Sequence, residues 1–513
     1  MVYKVYSGGV GGVLGNLITV EADASPGLPV LDMIGLLGSE VKEAKERVRV
    51  ALKNNGISLP AMRITINLSP ADEHKNGSLY DLPIAVALLG VLGKTGNFKP
   101  EETLLIGELA LDGQIMPVRG VLPIVRMAKS LNFKRVLLPS NNAAEGAMIR
   151  GIDIVPIDTL SDAVAYISLP EEYLNEQIPP YVGEDYYDSG INEIGPDFSE
   201  VVGQEVAKRA ACIAAAGFHH LLMTGPPGTG KSLIAKRIPG IMPRLSYEES
   251  LEVTTIYSVA GKLTKERPFI TKRPFLSPHH GASAMALTGG GALAMPGMVS
   301  LSHKGTLFLD ELPEFKRQTM DYLRQPMEDG EITVSRARGS VKYPADFMLV
   351  GAMNPCPCGF YPDRNRCSCT ESMVSRYLSK ISGPILDRID LCVEVARMDP
   401  EELEMKNTPC MGSKEMRSLV EKAVKIQKAR YEKEQFRFNS QLPSSKTSEY
   451  IPLDEEAGAF MHKLYKKLNL SMRAYYKIIR VARTIADLDG DEWVQVKHLA
   501  EAACYRFPEY MGG

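Results

Sequence analysis

Residues 225–232 form the segment with the clearest chemical potential in this chain, Gly-Pro-Pro-Gly-Thr-Gly-Lys-Ser. The spacing fits G-x-x-x-x-G-K-[ST], in which glycines let backbone N–H groups surround a triphosphate at the start of a helix. Lys231 would reach the β- and γ-phosphates, and Ser232 would ligate Mg²⁺. An apolar strand at 221–224 precedes the segment and a helical run at 233–238 follows it, which disfavours the alternative of a purely structural glycine loop. The predicted nucleotide-binding residues of this segment are Gly225, Pro226, Pro227, Gly228, Thr229, Gly230, Lys231 and Ser232.

Two adjacent carboxylates, Asp310 and Glu311, follow four apolar or β-branched residues at 306–309 that predict a buried strand. Asp310 would hold Mg²⁺, and Glu311 would activate the water that attacks the terminal phosphate. Taken alone, a buried strand that ends in Asp-Glu is as often a solvated strand end without a function as it is a metal site. Together with the phosphate-binding segment, the pair predicts a nucleotide hydrolase.

Four cysteines lie within fourteen residues in the pattern C-x-C-x8-C-x-C, namely Cys356, Cys358, Cys367 and Cys369. Four thiolates at this spacing could close a tetrahedral Zn²⁺ site. The residues between the two pairs are rich in turn formers, as a loop around a metal requires. However, C-x-C is tighter than the usual C-x2-C, so four reduced thiols or a redox pair remain the alternative.

Residues 331–343 alternate in the manner of a β-hairpin, with Arg336, Arg338 and Lys342 near its tip. These cations would contact DNA phosphates without reading the base sequence. A solvated edge hairpin is the alternative. A second basic stretch at 458–486 has no acidic residue and offers a further candidate surface; its cations are Lys463, Lys466, Lys467, Arg473, Lys477, Arg480 and Arg483.

Length and composition limit the number of domains and the class of protein in which these sites lie. The chain has 513 residues, which predicts two to four domains, and it is 44% hydrophobic and 24% charged, typical of a soluble globular protein. Its longest apolar run, 82–93, is too short to cross a bilayer, and no secretory signal is evident, so a cytoplasmic protein without a membrane partner is predicted. The net charge of -3 gives no overall attraction to nucleic acid, so DNA binding would depend on local patches.

Changes in sequence pattern divide the chain into three blocks and a linker. Residues 1–177 and 197–400 alternate strands and helices, whereas 401–513 are helical in pattern. Residues 178–196 contain prolines, acidic side chains and tyrosines without an apolar period, which predicts an exposed linker. The fold class is therefore α/β with an all-α C-terminal domain.

Several longer motifs accompany the phosphate site: TLFLDEL at 306–312, SPHH at 277–280, three glycines at 289–291, SGPILDRIDL at 382–391 and SMRAYYKIIRVARTIADL at 471–488. Together they resemble the ComM/YifB family of magnesium-chelatase-like AAA+ ATPases over nearly the whole chain. The resemblance implies a Lon-protease-like N-terminal domain, an AAA+ P-loop core with a parallel sheet, and a helical lid. The core would carry a helix-2 insert, a hairpin before the first sensor that projects into the central pore, and the cysteine cluster.

The resemblance also implies a function. Such a protein would form a ring, expected to be a homohexamer, and would hydrolyse ATP with Mg²⁺ to translocate on single-stranded or branched DNA. The family role would be that of a branch-migration helicase in natural transformation and homologous recombination. A chelatase-like motor that remodels a protein partner is the alternative, and stimulation of the ATPase by DNA would separate the two.

Three further residues receive roles only from the resemblance. Asn354 matches the sensor-1 residue that positions water near the γ-phosphate, and Arg473 matches the sensor-2 arginine of the lid. Arg388 matches the arginine finger, which reaches the nucleotide of the neighbouring subunit. For Arg388, a surface salt bridge with Asp387 or Asp390 is the alternative.

The Lon-type domain of other proteins is a protease that uses a serine and a lysine. Placing this chain on that pattern puts Leu79 at the serine position and Leu122 at the lysine position, so no protease activity is expected. Ser78 and Lys75 lie close by in sequence, and a dyad slipped onto them is the alternative.

Overall fold

The computed structural model describes residues 2–96, 98–170, 173, 177–183, 186–189, 195–291, 293–336, 339–397 and 411–507. In these ranges the chain forms a mixed α/β N-terminal domain, a parallel α/β core and a helical C-terminal region, which confirms the predicted fold class. None of the helices described is long and apolar enough to span a membrane.

The N-terminal domain is built on a seven-stranded mixed sheet. The strands of this domain are β1 (Tyr3–Gly11), β2 (Leu14–Ser25), β3 (Val30–Ile34), β4 (Arg63–Ser69), β5 (Thr103–Leu105), β6 (Glu108–Leu109), β7 (Ile115–Met116), β8 (Arg135–Pro139) and β9 (Asp153–Ile157). Its helices are α1 (Ser39–Asn54), α2 (Asp81–Val91), α3 (Val121–Ser130), α4 (Ala143–Gly146) and α5 (Leu160–Ser168). The sheet order is β3-β4-β2-β1-β5-β8-β9, with an antiparallel centre and parallel pairs toward both edges.

The two leucines at the predicted protease positions are core residues. Leu79 is 8% exposed and Leu122 is completely buried in the apolar core of the N-terminal domain. The neighbouring polar side chains are engaged elsewhere: the Ser78 hydroxyl donates to Glu108, and the buried Lys75 ammonium donates to the backbone carbonyls of Pro70 and Glu73.

The predicted linker, 178–196, lies partly outside the described residues. Its described part includes helix α6 (Tyr186–Ser189) and contacts both flanking domains. Tyr181 and Tyr187 are half-buried, and the Tyr187 hydroxyl donates a 2.8 Å hydrogen bond to the carbonyl of Leu245. The prediction of an exposed segment is wrong for these tyrosines because aromatic rings can bury large areas without following any regular period.

The second domain contains a five-stranded sheet whose neighbouring strands are all parallel. The strands of this domain are β10 (Leu221–Thr224), β11 (Phe275–Leu276), β12 (Gly289–Gly290), β13 (Met295–Pro296), β14 (Thr306–Leu309), β15 (Glu331–Arg336), β16 (Gly339–Pro344), β17 (Met348–Met353) and β18 (Leu391–Glu394). Its helices are α7 (Glu205–Gly217), α8 (Lys231–Ile241), α9 (Tyr247–Val259), α10 (Ala284–Thr288), α11 (Met298–Leu301), α12 (Arg317–Asp321), α13 (Arg324–Asp329), α14 (Glu371–Leu378) and α15 (Gly383–Leu386).

The sheet order β11-β14-β17-β10-β18 explains why three of these strands read as continuous apolar runs. Every residue of β10, β14 and β17 is buried, because helices cover both faces of a parallel sheet. The carboxyl ends of parallel strands meet at one edge, where ligands bind in open α/β sheets. The phosphate-binding segment, Asp310 and Asn354 each follow one of these three strands and therefore converge.

The C-terminal region is helical, as predicted. Its helices are α16 (Ser413–Arg430), α17 (Thr447–Tyr450), α18 (Glu455–Lys467), α19 (Met472–Asp489) and α20 (Val496–Cys504). The Ser471 hydroxyl caps the start of α19 by accepting a hydrogen bond from the N–H of Ala474, and Gly490 ends the helix with a φ of 78°. Apolar side chains of these helices share one core with strands β10 and β18, so the lid packs directly on the sheet domain.

A polar contact inside a packed surface joins the N-terminal domain to the second domain. Helix α9 lies against α3, and Ser258 on α9 accepts a hydrogen bond of 3.2 Å from the N–H of Gly120 through its carbonyl oxygen. The Ser258 hydroxyl donates to the buried carboxylate of Glu145 at 2.5 Å. Nearby, the guanidinium of Arg150 lies 4.9 Å from the ring centre of Tyr247. We call these contacts the interdomain seam.

Candidate nucleotide-binding site

The phosphate-binding segment forms the turn between β10 and α8, as the sequence predicts. An ideal Cβ on Gly225 would lie 2.2 Å from the carbonyl oxygen of Val395, so no larger residue fits there. Gly228 and Gly230 have φ angles of 78° and 89°, the left-handed region that favours glycine. The turn thereby directs the N-terminus of α8, with its unpaired backbone N–H groups, toward the space above the sheet edge.

Lys231 is the first residue of α8, and its side chain is only 8% exposed. Its ammonium donates to the carbonyl oxygens of Gly225 and Pro226 at 2.7 and 2.8 Å, and to Asn354 Oδ1 at 3.3 Å. Burial lowers the pKa of Lys231, an effect that the nearby Asp310 carboxylate opposes. The structure therefore brings together Lys231 and Asn354, which the sequence assigned to one site on separate grounds.

Ser232 and Asp310 form the second contact across the sheet edge. The Ser232 hydroxyl donates a hydrogen bond of 2.6 Å to Asp310 Oδ2, and Asp310 Oδ1 accepts from the N–H of Glu311 at 2.9 Å. A hydroxyl and a carboxylate are the hard oxygen donors that Mg²⁺ prefers. The donor set present thus fits the predicted magnesium site.

Glu311 has a strained backbone and a mostly exposed side chain. Its φ of 51° lies in the left-handed region, and its side chain is 62% exposed. One carboxylate oxygen lies 3.4 Å from Nδ1 of His280, which follows strand β11. Strand β11 is the sheet neighbour of β14, so the two strand ends hold the imidazole beside the carboxylate.

His280 is a site residue that the sequence analysis missed. The SPHH motif served only as a mark of family resemblance and received no role of its own. A histidine a few residues after a short strand next to the Asp-Glu strand is the signal that would have indicated it.

Arg388 and Arg473 share one carboxylate, that of Glu328 on α13. Both guanidinium groups contact Glu328 Oε1, with Arg473 at 2.5 Å. The Arg388 side chain is 12% exposed and also donates to the carbonyl of Pro384 at 2.6 Å, while its buried Nε has no hydrogen-bond partner among the described residues. The hydrogen bond from Arg388, joined by that from Arg473, lowers the pKa of Glu328.

Glu328 was also missed at the sequence level, because nothing around it marks a site. The alternative for Arg388, a salt bridge with Asp387 or Asp390, is not what the structure shows, since its ion pair is with Glu328. Arg473, expected on a lid that faces the nucleotide, is held beside Arg388.

The four predicted cysteine ligands come together. The Sγ atoms of Cys356, Cys358, Cys367 and Cys369 all lie within 4.8 Å of one another. Cys356 Sγ lies 3.3 Å from Cys358 Sγ and 3.8 Å from Cys367 Sγ, and it accepts hydrogen bonds from the backbone N–H groups of Gly359 and Tyr361. Burial raises the pKa of Cys367, whereas hydrogen bonds from the Phe360 N–H and the neighbouring thiols outweigh burial and lower the pKa of Cys358 to about 6.

The predicted basic hairpin is confirmed as an antiparallel pair of β15 and β16, with Arg336 opposite Gly339. Arg338 and the side chain of Arg336 lie outside the described part of the chain. Lys342 is described, and its ammonium is paired with Glu331 across the hairpin.

The prediction that residues 458–486 offer a second DNA surface is wrong for three of the cations. Lys477 donates to the carbonyl of Ile389, and burial lowers its pKa to about 8. Arg480 donates to the carbonyl of Leu442 at 2.9 Å, and Arg483 is 4% exposed and paired with Asp487. Tertiary packing has placed these cations between helices, where they satisfy backbone carbonyls and a buried carboxylate.

Three family models match this chain. The model "Subunit ChlI of Mg-chelatase" covers residues 20–142, "Magnesium chelatase, subunit ChlI" covers 197–403, and "Magnesium chelatase, subunit ChlI C-terminal" covers 411–506.

Several curated relatives match over nearly the full length, and a magnesium-chelatase subunit matches over a shorter part. The Escherichia coli protein YifB is 41% identical over 96% of this chain and 95% of its own length. The competence protein ComM of Haemophilus influenzae is 40% identical over 98% and 97%, respectively. The magnesium-chelatase 38 kDa subunit of Cereibacter sphaeroides is 28% identical over 31% of this chain and 52% of that subunit.

The parallel sheet with its phosphate-binding turn, carboxylate pair and helical C-terminal region defines a P-loop protein of the AAA+ class. The extent of the matches narrows this class. The chain belongs to the ComM/YifB family of magnesium-chelatase-like AAA+ proteins.

Proposed function

We propose that this protein is a ring-forming AAA+ ATPase that hydrolyses ATP to translocate on DNA. The observation that carries the proposal is the convergence of Lys231, Ser232, Asp310, Glu311 and Asn354 at one edge of the parallel sheet. These five side chains supply a phosphate-binding cation, two oxygen ligands, a carboxylate base and an amide beside the cation.

The position of each side chain supports a separate role in ATP hydrolysis. Lys231 exchanges its backbone carbonyl partners for phosphate oxygens, which is favourable because a buried ammonium gains a charged partner. Ser232 and Asp310 would hold Mg²⁺, which would supply positive charge beside the phosphates. Glu311 accepts a proton from the attacking water, and Asn354 orients that water from the neighbouring strand end. His280 fixes the direction of the otherwise exposed Glu311 carboxylate.

Arg388 and Arg473 act on the nucleotide of a neighbouring subunit. Their shared partner Glu328 holds both guanidinium groups together where the sheet domain meets the lid. A cation supplied in trans accelerates phosphoryl transfer by about 10³–10⁵-fold. The active form is therefore a closed ring of identical subunits, proposed to be a homohexamer.

DNA is the proposed partner of the ring. The relative named competence protein ComM, 40% identical over nearly the full length, supports a role in competence. We propose that this role is that of a branch-migration helicase in natural transformation and homologous recombination, as the family resemblance implies. The hairpin of β15 and β16 carries Arg336 and Arg338 as sequence-independent phosphate contacts.

The alternative is a chelatase-like motor that remodels a protein partner. The match to the magnesium-chelatase 38 kDa subunit favours it, although that match covers only 31% of this chain. Addition of DNA separates the two classes, because a protein remodeller should not respond to it.

The proposed cofactors are Mg²⁺ with ATP at Ser232 and Asp310, and Zn²⁺ at the four cysteines. The donor sets present fit both ions: hard oxygens for Mg²⁺ and thiolates for Zn²⁺.

The test measures ATP hydrolysis by the purified protein with and without forked or four-way DNA, together with the mass of the nucleotide-bound complex. We expect hydrolysis that DNA stimulates and a complex several times the mass of one chain. Glu311→Gln should retain ATP binding and assembly but lose turnover, whereas Lys231→Ala should lose nucleotide affinity. Turnover by Glu311→Gln within a few-fold of the parent would show that the base is assigned wrongly, and hydrolysis unaffected by DNA would favour the protein remodeller.

A further inference from the structure

The cysteine cluster sits two residues after Asn354, inside the loop that connects β17 to α14. The proposed ATPase chemistry gives these thiols no role. A ligand bound to them would nevertheless fix the loop that begins at Asn354.

The sulfur positions fit a single tetrahedral ion. A Zn–S bond of about 2.3 Å places the corners of an S₄ tetrahedron about 3.8 Å apart. The Sγ–Sγ distances are 3.3 Å for Cys356–Cys358, 3.6 Å for Cys358–Cys367 and 3.8 Å for Cys356–Cys367. A disulfide would need about 2.05 Å, and each of these three sulfurs is nearly equidistant from the other two rather than closely paired with one.

The surroundings of the thiols are those of metal ligands. The backbone N–H groups of Gly359 and Tyr361 donate to Cys356 Sγ at 3.2 and 3.4 Å, the kind of hydrogen bond that orients a metal-binding sulfur. Gly359 reaches this position with a φ of 86°, which favours glycine. Cys356 and Cys369 are buried, while Cys358 and Cys367 are partly exposed, which leaves a path for the ion to enter.

The same loop contacts the phosphate-binding segment. An ideal Cβ on Gly359 would lie 2.6 Å from Cδ of Pro227, so the backbone of the cysteine loop lies directly against that proline. Tyr377, in the last turn of α14, lies close to the backbone of Asn354. The cysteine loop thus begins directly after Asn354 and also contacts the phosphate-binding segment at Pro227.

We propose that the four cysteines bind one Zn²⁺ per chain and that this zinc site is a positioning element, which holds Asn354 at its distance from Lys231. This role rests on the proposed ATPase function, whereas the metal site itself does not. The four cysteines do not touch the nucleotide; they act through Asn354.

The first test measures metal content. Freshly purified protein, prepared without chelator, should contain about one zinc and no iron per chain by elemental analysis. Cys367→Ser should reduce zinc to a small fraction of that value, and Cys504→Ser, at an exposed cysteine outside the cluster, should leave it unchanged. Replacement by Co²⁺ in the parent protein should give the ligand-field and thiolate charge-transfer bands of a tetrahedral S₄ site. Protein without zinc, or with iron in its place, would overturn the metal site, even if Cys367→Ser failed to fold.

The second test separates positioning from general stability. Cys367→Ser should bind a fluorescent ATP analogue within about threefold of the parent, yet lose about tenfold or more in kcat. The reason is that the Lys231 ammonium, which binds phosphate, stays in place while the amide of Asn354, which orients the water, shifts. Asn354→Ala should show the same pattern. If the cysteines act through Asn354, the double variant should lose no more than the more severe single variant. Additive losses, or a loss of binding equal to the loss of kcat, would overturn the positioning role. If the parent protein shows no hydrolysis at all, the ATPase proposal fails and the zinc measurement still decides the metal site.

Discussion

The hydroxyl of Ser232 donates a hydrogen bond of 2.6 Å to a carboxylate oxygen of Asp310. This contact joins the first turn of α8 to the end of β14, two elements that are far apart in sequence. It holds the two oxygen atoms of the proposed Mg²⁺ site at close range, so binding of the ion would require little reorganisation of the protein.

The first prediction concerns this pair. Ser232→Ala and Asp310→Asn should each raise the Mg²⁺ concentration needed for half-maximal ATP hydrolysis by on the order of tenfold or more, because each removes or neutralises an oxygen ligand. A magnesium titration of the steady-state rate measures the shift. Ser161→Ala, at an exposed serine of the N-terminal domain, is the matched control and should titrate like the parent. An unchanged titration in Asp310→Asn would assign the magnesium ligands elsewhere.

The second prediction concerns action in trans. Arg388→Ala and Lys231→Ala should each be inactive alone, and a mixture should regain part of the turnover, because mixed rings rebuild complete sites at some interfaces. Arg473→Ala should behave like Arg388→Ala, since both guanidinium groups share Glu328. Labelled subunits must show that mixing occurred. Proven mixing without rescue would contradict action in trans.

The third prediction concerns DNA. Replacing Arg336 and Arg338 together by Ala should weaken binding equally for all sequences and reduce the salt dependence by about two phosphate contacts. Lys342→Ala should have a smaller effect, because Glu331 already pairs with this ammonium and raises its pKa. Titrations of fluorescent DNA at several salt concentrations measure, for the parent and for each variant, the slope of the logarithm of the binding constant against the logarithm of the salt concentration. Equal slopes for the parent and the double variant would show that Arg336 and Arg338 do not contact DNA and that the hairpin is a solvated edge.

Sequence alone could predict the phosphate-binding segment because its geometry depends on contiguous residues. Glycines at 228 and 230 are required by positive φ angles, and the apolar strands that position the segment are buried on both faces. Asn354 and Arg388 could be assigned only through family resemblance.

Contacts between distant elements could not be predicted in this way. Glu328 meets Arg473 across 145 residues, and no local pattern distinguishes it from other surface carboxylates. Conversely, the cations Lys477 and Arg483 read as a binding surface, although packing between helices gives them internal partners.

The fourth prediction is that the N-terminal domain does not cleave protein. Leu79 and Leu122 lie in the core and carry no titratable proton, and Ser78 is bonded to Glu108. The purified protein should leave casein intact in the presence of ATP, as judged by gel, and Ser78→Ala should have the ATPase activity of the parent. Casein cleavage that disappears in Ser78→Ala would show that a dyad slipped onto Ser78 is real.

The interdomain seam has a practical consequence for following the motions of this protein. Because Glu145 is buried and bonded from both sides, and the Tyr247 ring packs beneath Arg150, the N-terminal domain cannot swing independently of the sheet domain without exposing a carboxylate and an aromatic face. Rotation of the sheet domain would therefore carry strands β1 and β2 through the same angle. A fluorophore attached to an exposed side chain of the N-terminal domain would therefore report rotation of the sheet domain.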